Sequence, residues 1–283
     1  MSNVGYFAPT EVGEALKLLA EYGEKANILA GGTDLVPKIN YYELRPDNLI
    51  FIGGLGLDYI KEEDQKLVIG AGTTWTQIAT STSVLEKAGI LAEAAQLGAS
   101  VAIRNAGTIG GNLANASPAA DLAAALLALD AELSLKSEKG DRVVAIKDFF
   151  TGPGETVRKP SELLTEISIP VPKGKTSFLK LGRRKALTLS VANTGVHLIM
   201  DGNRCEDARI SLGAMAPTPL RCTRAEELIK GKAVDATLIS ECAAEAVNES
   251  SPIDDQRATA WYRKKAGKAL VARALAKAAG INN

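Results

Sequence analysis

The spacing of apolar positions changes several times along the first half of the chain, and each change marks an element. Val12, Ala15, Leu16 and Leu19 recur at helical spacing, which predicts an amphipathic helix over residues 10–22 with Gly23 as its stop. Asn27-Ile28-Leu29-Ala30 is a short apolar run and reads as a buried strand. It enters a double-glycine turn, Gly31-Gly32-Thr33-Asp34, followed by an apolar stretch from Leu35 to Ile39 that Pro37 interrupts. Asn48 to Ile52 predicts another strand, ended by Gly53-Gly54. Leu57 to Ile60 and Leu67 to Ile69, separated by the charged turn Lys61–Lys66, predict a hairpin. Thr74 and Gln77 have the spacing of a capping box opening a helix, and a further helix spans Leu91 to Leu97.

A second glycine turn follows at Thr108-Ile109-Gly110-Gly111-Asn112, then a small polar run, Asn115-Ala116-Ser117, then a predicted helix from Pro118 to Leu129. Serine caps free amides and proline fits the first helical position, so Ser117-Pro118 is a helix start. This helix carries almost no charge beyond Asp121, which predicts a buried helix whose carboxylate needs a donor. Strands are predicted at Glu132–Leu135, Val143–Ile146 and Leu163–Ile169, with a loop at Phe149–Gly154. Pro170-Val171-Pro172-Lys173-Gly174-Lys175 has the composition of a linker, and a domain boundary is expected there. Beyond it, Phe178–Leu181, Val196–Met200 and Ala208–Leu212 read as strands, and Ala225–Ile229, Thr237–Asn248 and Trp261–Ala279 as helices. The simplest packing is a three-stranded sheet carrying a helical layer, so the chain as a whole reads as α+β.

Composition narrows the function by exclusion. Lys and Arg total 33, as do Asp and Glu, so bulk charge gives no reason to expect a nucleic-acid partner. No charge-free apolar run reaches membrane-spanning length, and the N-terminal segment lacks the pattern of a signal peptide, so a cytoplasmic location is expected. Cys205, Cys222 and Cys242 are widely spaced and form no CxxC pair, so no metal ligand set is expected on this chain. His197, the single histidine, falls in a strand-like segment and reads as a strand-face residue rather than a catalytic one, and no GxSxG elbow appears, so no Ser-His-Asp site is expected. Gly70-Ala71-Gly72 lacks the third glycine of a dinucleotide fingerprint, and Gly174-Lys175-Thr176 lacks the first glycine of a P-loop.

The two glycine turns carry the remaining chemistry. Glycine lets a backbone approach a ligand closely, and amides at a helix start bind anions, of which a diphosphate is the common biological example. Taken singly, either turn could be plain punctuation. Facing one another, they would supply amides to both phosphates of a dinucleotide without a Rossmann fold.

Here the residues carry a resemblance. AGGTDL at Ala30–Leu35, IRNAGTIGGNL at Ile103–Leu113 and Asp121 resemble the FAD-binding subunit of the molybdenum hydroxylases, the xanthine dehydrogenase and carbon monoxide dehydrogenase family. The similarity continues through DFF at Asp148–Phe150, LLTEI at Leu163–Ile167 and KLGRRKALTLSVAN at Lys180–Asn193. It also takes in GAMAPTPLR at Gly213–Arg221 and the segment SPIDDQRATAWYRKKAGKALVARAL from Ser251. The run Arg183-Arg184-Lys185, followed by a short Ala-Leu-Thr-Leu-Ser, is more similar to the branch found with nicotinate and other anaerobic-type hydroxylases than to the eukaryotic xanthine enzymes.

The resemblance implies a two-subdomain PCMH-type FAD-binding domain over residues 1–172, with subdomains of about 1–55 and 56–172. A C-terminal α+β domain with a three-stranded antiparallel sheet and helices would cover 173–283. It implies that Ile28, Leu29, Ala30, Gly31, Gly32, Thr33, Asp34 and Leu35 wrap the FAD diphosphate. Thr108, Ile109, Gly110, Gly111 and Asn112 would hold its other side, with Asp121 bonding nearby groups and Arg158, Leu164 and Lys180 bordering the adenine and flavin ends. The implied role is an electron-transfer subunit beside a molybdopterin-binding large subunit and a small [2Fe-2S] subunit, with NAD(P) or a small redox protein as acceptor. Those two metal centres would lie on the partners, since no cysteine-bearing insertion interrupts Asp121–Phe149. Arg183-Arg184-Lys185 could meet an acceptor's phosphates, meet a partner subunit, or form a solvated turn. The competing functions are a stand-alone FAD oxidase or reductase, which needs an acid–base residue not evident here, and a non-catalytic subunit that has lost FAD.

Overall fold

The computed structural model describes residues 4–184 and 187–281. It opens with a small parallel sheet. Strands β1 (Gly5–Phe7), β2 (Ala26–Leu29) and β3 (Asn48–Phe51) lie in the order β1-β3-β2, with helices α1 (Val12–Tyr22) and α2 (Leu35–Asn40) between them. Ala15, Leu16 and Leu19 of α1 are buried in one cluster with Ile50 and Ile52, which is the helical stripe anticipated from their spacing. Leu35–Asn40 is helical despite Pro37, because a proline in the first turn gives up an amide that has no intrahelical partner there.

The middle of the chain builds a five-stranded antiparallel sheet from β4 (Ile60–Glu63), β5 (Lys66–Gly70), β6 (Glu132–Ser137), β7 (Gly140–Ala145) and β10 (Leu163–Pro170), in the order β4-β5-β10-β6-β7. Between β5 and β6 run helices α3 (Trp75–Thr80), α4 (Thr82–Lys87), α5 (Gly89–Leu97), α6 (Val101–Ala106), α7 (Ile109–Ala114) and α8 (Asp121–Ala128). A short hairpin, β8 (Phe150–Gly152) with β9 (Glu155–Thr156), precedes β10. The expected capping box is present: the Thr74 hydroxyl accepts from the Gln77 amide, and the Gln77 side chain accepts from the Thr74 amide.

Two readings of the glycine-rich stretch change here. Thr108–Asn112 is not an open turn but the start of helix α7, whose N-cap is Thr108 and whose Ile109 and Leu113 are buried. The helix predicted from Pro118 begins instead at Asp121. Ser117 accepts from the Ala119 amide at 3.3 Å in a local turn, after Ala116 adopts φ 47°. All eight residues of α8 are buried, Asp121 among them.

The C-terminal part is a sheet of β11 (Lys175–Gly182), β12 (Ser190–Asp201), β13 (Arg204–Gly213) and β14 (Leu220–Arg221), backed by α9 (Thr223–Ile229), α10 (Ala236–Asn248) and α11 (Ala260–Ala279). The sheet has four strands, not the three expected. Leu220 and Arg221 pair antiparallel with Leu212 and Ser211, and a two-residue strand is too short to show any alternation in sequence. One face of the sheet carries α11 on β12 and α9 on β13, with α10 packed on those two helices, while the other face lies on α8. Helix α8 is thus enclosed between its own cluster and the C-terminal sheet, where Arg221 Nη1 donates to the carbonyl of Leu127 at 3.2 Å. Among the described residues, no helix is long and apolar enough to cross a membrane.

Candidate functional site

The site is built where β2 ends. Strand β2 delivers the chain into Gly31–Asp34 before α2 begins, and Gly32 has φ 68°, a conformation that glycine adopts without strain. The amides of Gly31, Gly32, Thr33, Asp34 and Leu35 have no acceptor among the described residues, whereas the Val36 amide closes the loop on the Gly32 carbonyl at 3.0 Å. A run of unpaired amides at a strand-to-helix junction is an anion cradle that needs no basic side chain.

The second glycine segment packs directly against this loop. A Cβ placed on Gly31 would stand 1.8 Å from the Ala106 carbonyl oxygen, and one on Gly107 would stand 3.3 Å from Thr33 Oγ1. Lys38 pairs with Asp34 at 2.6 Å and reaches Asn115 Oδ1 at 3.4 Å, tying the two segments together again. The segment is in turn anchored to the end of β5: the Ile109 amide donates to the Thr73 carbonyl and the Gly110 amide to the Ala71 carbonyl, each at 2.9 Å. Gly110 is needed for that approach, since a Cβ there would meet Ala71 O at 2.7 Å.

The two loops therefore face each other, but they offer different chemistry. The amides of Ile109, Gly110, Gly111 and Asn112 already have acceptors, the Gly111 amide on Thr108 Oγ1 at 3.0 Å. What this side offers is shape and one acceptor. A Cβ on exposed Gly111 would meet nothing but Thr108 Oγ1, at 2.9 Å, and Asn112 Oδ1 is buried without a hydrogen-bond partner. Free amides on one wall, with a bare glycine and an orphaned acceptor on the other, fit a cofactor that carries both phosphates and hydrogen-bond donors.

Asp121 lies deeper. Its Oδ2 accepts from Lys180 Nζ at 2.6 Å, and its Oδ1 accepts from Ser190 Oγ at 2.5 Å and Asn193 Nδ2 at 2.9 Å. The lysine and aspartate side chains are 4% and 6% exposed, so the pair is buried. Lys180 also lines a cavity of about 350 Å³ with Leu97, Leu181, Gly182, Arg183, Arg184 and Thr188. Lys185 lies outside the described residues.

The remaining expected residues are not drawn into this cluster. Arg158 Nη1 donates to the carbonyls of Lys159 and Glu162 at 3.0 and 2.7 Å, and burial pushes its guanidinium below the usual arginine range. Leu164 is 4% exposed in the hydrophobic core beneath β10, next to a bulge at Leu164/Glu166. On β12, His197 Nε2 donates to the Lys173 carbonyl. Among the described residues, no cluster of histidine, cysteine and carboxylate side chains could hold a metal ion. Sequence reasoning singled out neither Ser190 nor Asn193. Their signal was the polar pair inside an otherwise apolar strand start, Ser190-Val191-Ala192-Asn193.

Residues 2–172 match the family model described as the FAD binding domain in molybdopterin dehydrogenase. Residues 177–278 match the CO dehydrogenase flavoprotein C-terminal domain. The chain is 36% identical to the carbon monoxide dehydrogenase medium chain of Afipia carboxidovorans, with 96% of each chain covered. It is 33% identical to the glyceraldehyde dehydrogenase medium chain of Sulfolobus acidocaldarius, covering 95% of this chain and 96% of that one. Its fold superposes with TM-score 0.95 on the structure of carbon monoxide dehydrogenase from Hydrogenophaga pseudoflava that lacks the Mo-pyranopterin moiety of the molybdenum cofactor. That match is at 34% identity over 98% of this chain and 97% of that one.

Proposed function

This chain belongs to the family of FAD-binding medium-chain subunits of carbon monoxide and xanthine dehydrogenase-type molybdenum hydroxylases, and from that premise we propose that it is the FAD-carrying electron-transfer subunit of such an oxidoreductase complex. The observation that carries the proposal is the run of unpartnered amides from Gly31 to Leu35, closed against Ala106 and Gly107. Bound FAD supplies the conversion between single electrons and electron pairs. The residues of this chain bind and orient it. Ile28 to Leu35 would embrace the diphosphate with main-chain donors, and Thr108 to Asn112 would close the other side, with Gly111 leaving room and Asn112 Oδ1 accepting a hydroxyl or amide hydrogen. Arg158 and Leu164 would border the cofactor from the loop before β10 and from β10 itself. Lys180, held by Asp121, would present its ammonium from β11.

Electrons would arrive from a small [2Fe-2S] subunit, itself fed by a molybdopterin-binding large subunit, and leave to NAD(P) or a small redox protein. No proton transfer by a side chain is required in this role, which agrees with a site made of amides, glycines and one ion pair.

The test is spectroscopic. The chain is purified alone and with its neighbouring gene products, incubated with FAD and desalted. The expected result is a yellow protein with near-stoichiometric flavin, and dye-reductase activity that requires the partners. A protein that stays colourless with excess FAD refutes the proposal, and a yellow one that oxidises an organic substrate unaided makes it a stand-alone oxidase.

A further inference from the structure

We propose that Ser190 and Asn193 are positioning residues for the cofactor site: they fix Asp121, and Asp121 fixes the ammonium of Lys180. The inference rests on the FAD reading above and adds to it a role for residues of the C-terminal sheet.

The geometry is a chain of buried polar contacts with one outlet. Ser190 and Asn193 are 0% exposed and both donate to Asp121 Oδ1, while Asn193 Nδ2 also lies 3.2 Å from Ser190 Oγ. Among the described residues, Lys180 alone donates to Asp121 Oδ2. An ammonium has three hydrogens, and beyond Asp121 the Lys180 ammonium has no acceptor among the described residues, although its side chain is buried. Lys180 is one of the residues lining the cavity of about 350 Å³, so the network ends at the wall of that cavity.

The protein holds the far end of this chain rigidly. A Cβ on Gly213 would stand 2.2 Å from Asn193 Oδ1, so glycine at that position lets the Asn193 side chain lie flat across β13. Behind it, the guanidinium of Arg263, 2% exposed, donates to the carbonyls of Val191 at 2.6 Å and Ala214 at 3.1 Å and pairs with Asp255 at 2.7 Å. It clamps the backbone beside Ser190 and beside Gly213 at once.

Energetics argue that this arrangement is kept for more than stability. A buried ion pair costs desolvation that its attraction seldom exceeds, and apolar residues of the same volume would hold two layers together at least as well. An aspartate fixed by two further buried polar side chains and paired with one lysine makes sense if the ammonium must sit at one place.

A double-mutant cycle on FAD affinity tests this, with the full chain titrated by FAD and followed by quenching of flavin fluorescence. Loss of a hydrogen bond to a charged group predicts that Ser190→Ala weakens FAD binding about tenfold. In a Lys180→Met background the same substitution should change affinity less than twofold, and in a Lys180→Arg background, which keeps a cation, its effect should return. Thermal melts without FAD check that each variant folds. Should Ser190→Ala fail to fold, the isosteric Asp121→Asn replaces it in the cycle with the same expectation. An equal loss with and without Lys180, or no loss in the native background, overturns the proposal. A native chain that takes up no FAD at all overturns the FAD reading and this inference with it.

Discussion

Gly111→Val is expected to separate the fold from the proposed cofactor site. The residue is exposed at the third position of α7, and a Cβ there meets only the hydroxyl of Thr108, at 2.9 Å. That contact is too close, so the hydroxyl must move and its bond to the Gly111 amide is lost, which costs about 1 kcal/mol as a cap. Valine regains about 0.3 kcal/mol over glycine in helix propensity. The net loss, under about 1 kcal/mol, corresponds to a fall in melting temperature on the order of 2 °C for a protein of this size. The cofactor site should respond quite differently. Two methyl groups would fill the face that glycine leaves bare, and overpacking of about 3 kcal/mol weakens binding about a hundredfold. The assay is flavin content after desalting, with a thermal melt of the same sample. A variant that melts nearly as the native chain does yet elutes colourless supports the two-loop cradle. Unchanged FAD stoichiometry and affinity would show that the cradle lies elsewhere.

Gly31→Ala should behave in the opposite sense, because its Cβ would collide with main chain, 1.8 Å from Ala106 O. A stability loss of about 3 kcal/mol or more is expected together with loss of FAD, read from the same melt. Glu162 accepts from Arg142 Nε and Nη2 at 2.7 and 2.8 Å, and this pairing holds its carboxyl below the ordinary value of 4.5. Its stabilisation is therefore complete above about pH 4.5 and lost as pH falls through the depressed folded value. Glu162→Gln should destabilise by about 1–2 kcal/mol at pH 7, with the gap to the native chain closing in acid denaturation below that range. Burial pushes the thiol of Cys205 up to about 11 and that of Cys242 up to about 12, and raises that of Cys222 as well. A disulfide reagent at pH 8 should label none of the three in the native protein and all of them in denaturant, and prompt labelling of the native chain would contradict the packing of this layer.

What could be read along the chain was whatever is local. The Thr74–Gln77 box and the helical stripe of α1 depend on residues three or four apart, and both stand as their spacing implied. The glycine-rich segment misled because Ile-Gly-Gly-Asn-Leu-Ala has poor helix propensity. It becomes helical through the Thr108 cap and the burial of Ile109 and Leu113, which depends on distant partners. The need of Asp121 for a donor was visible from its apolar surroundings, but the donors were not. Lys180, Ser190 and Asn193 are 59, 69 and 72 residues away, and no periodicity links positions so far apart. Two glycine turns of similar sequence also proved chemically unlike. The first keeps its amides free, while those of Ile109 to Asn112 are taken by acceptors on Thr73, Ala71 and Thr108.

Helix α8 has a consequence for how such a chain can be inherited. Two family models meet near the Pro170–Lys175 connection, which would make that point a natural place for recombination to exchange modules. The helix opposes it. Its first residue is held by Lys180, Ser190 and Asn193, and a carbonyl near its other end by Arg221, all from beyond the connection. A foreign C-terminal half would leave an apolar helix facing a surface not shaped for it, and a carboxylate without its donors. The connection is thus a poor crossover point, and the two halves should pass between genomes as one unit.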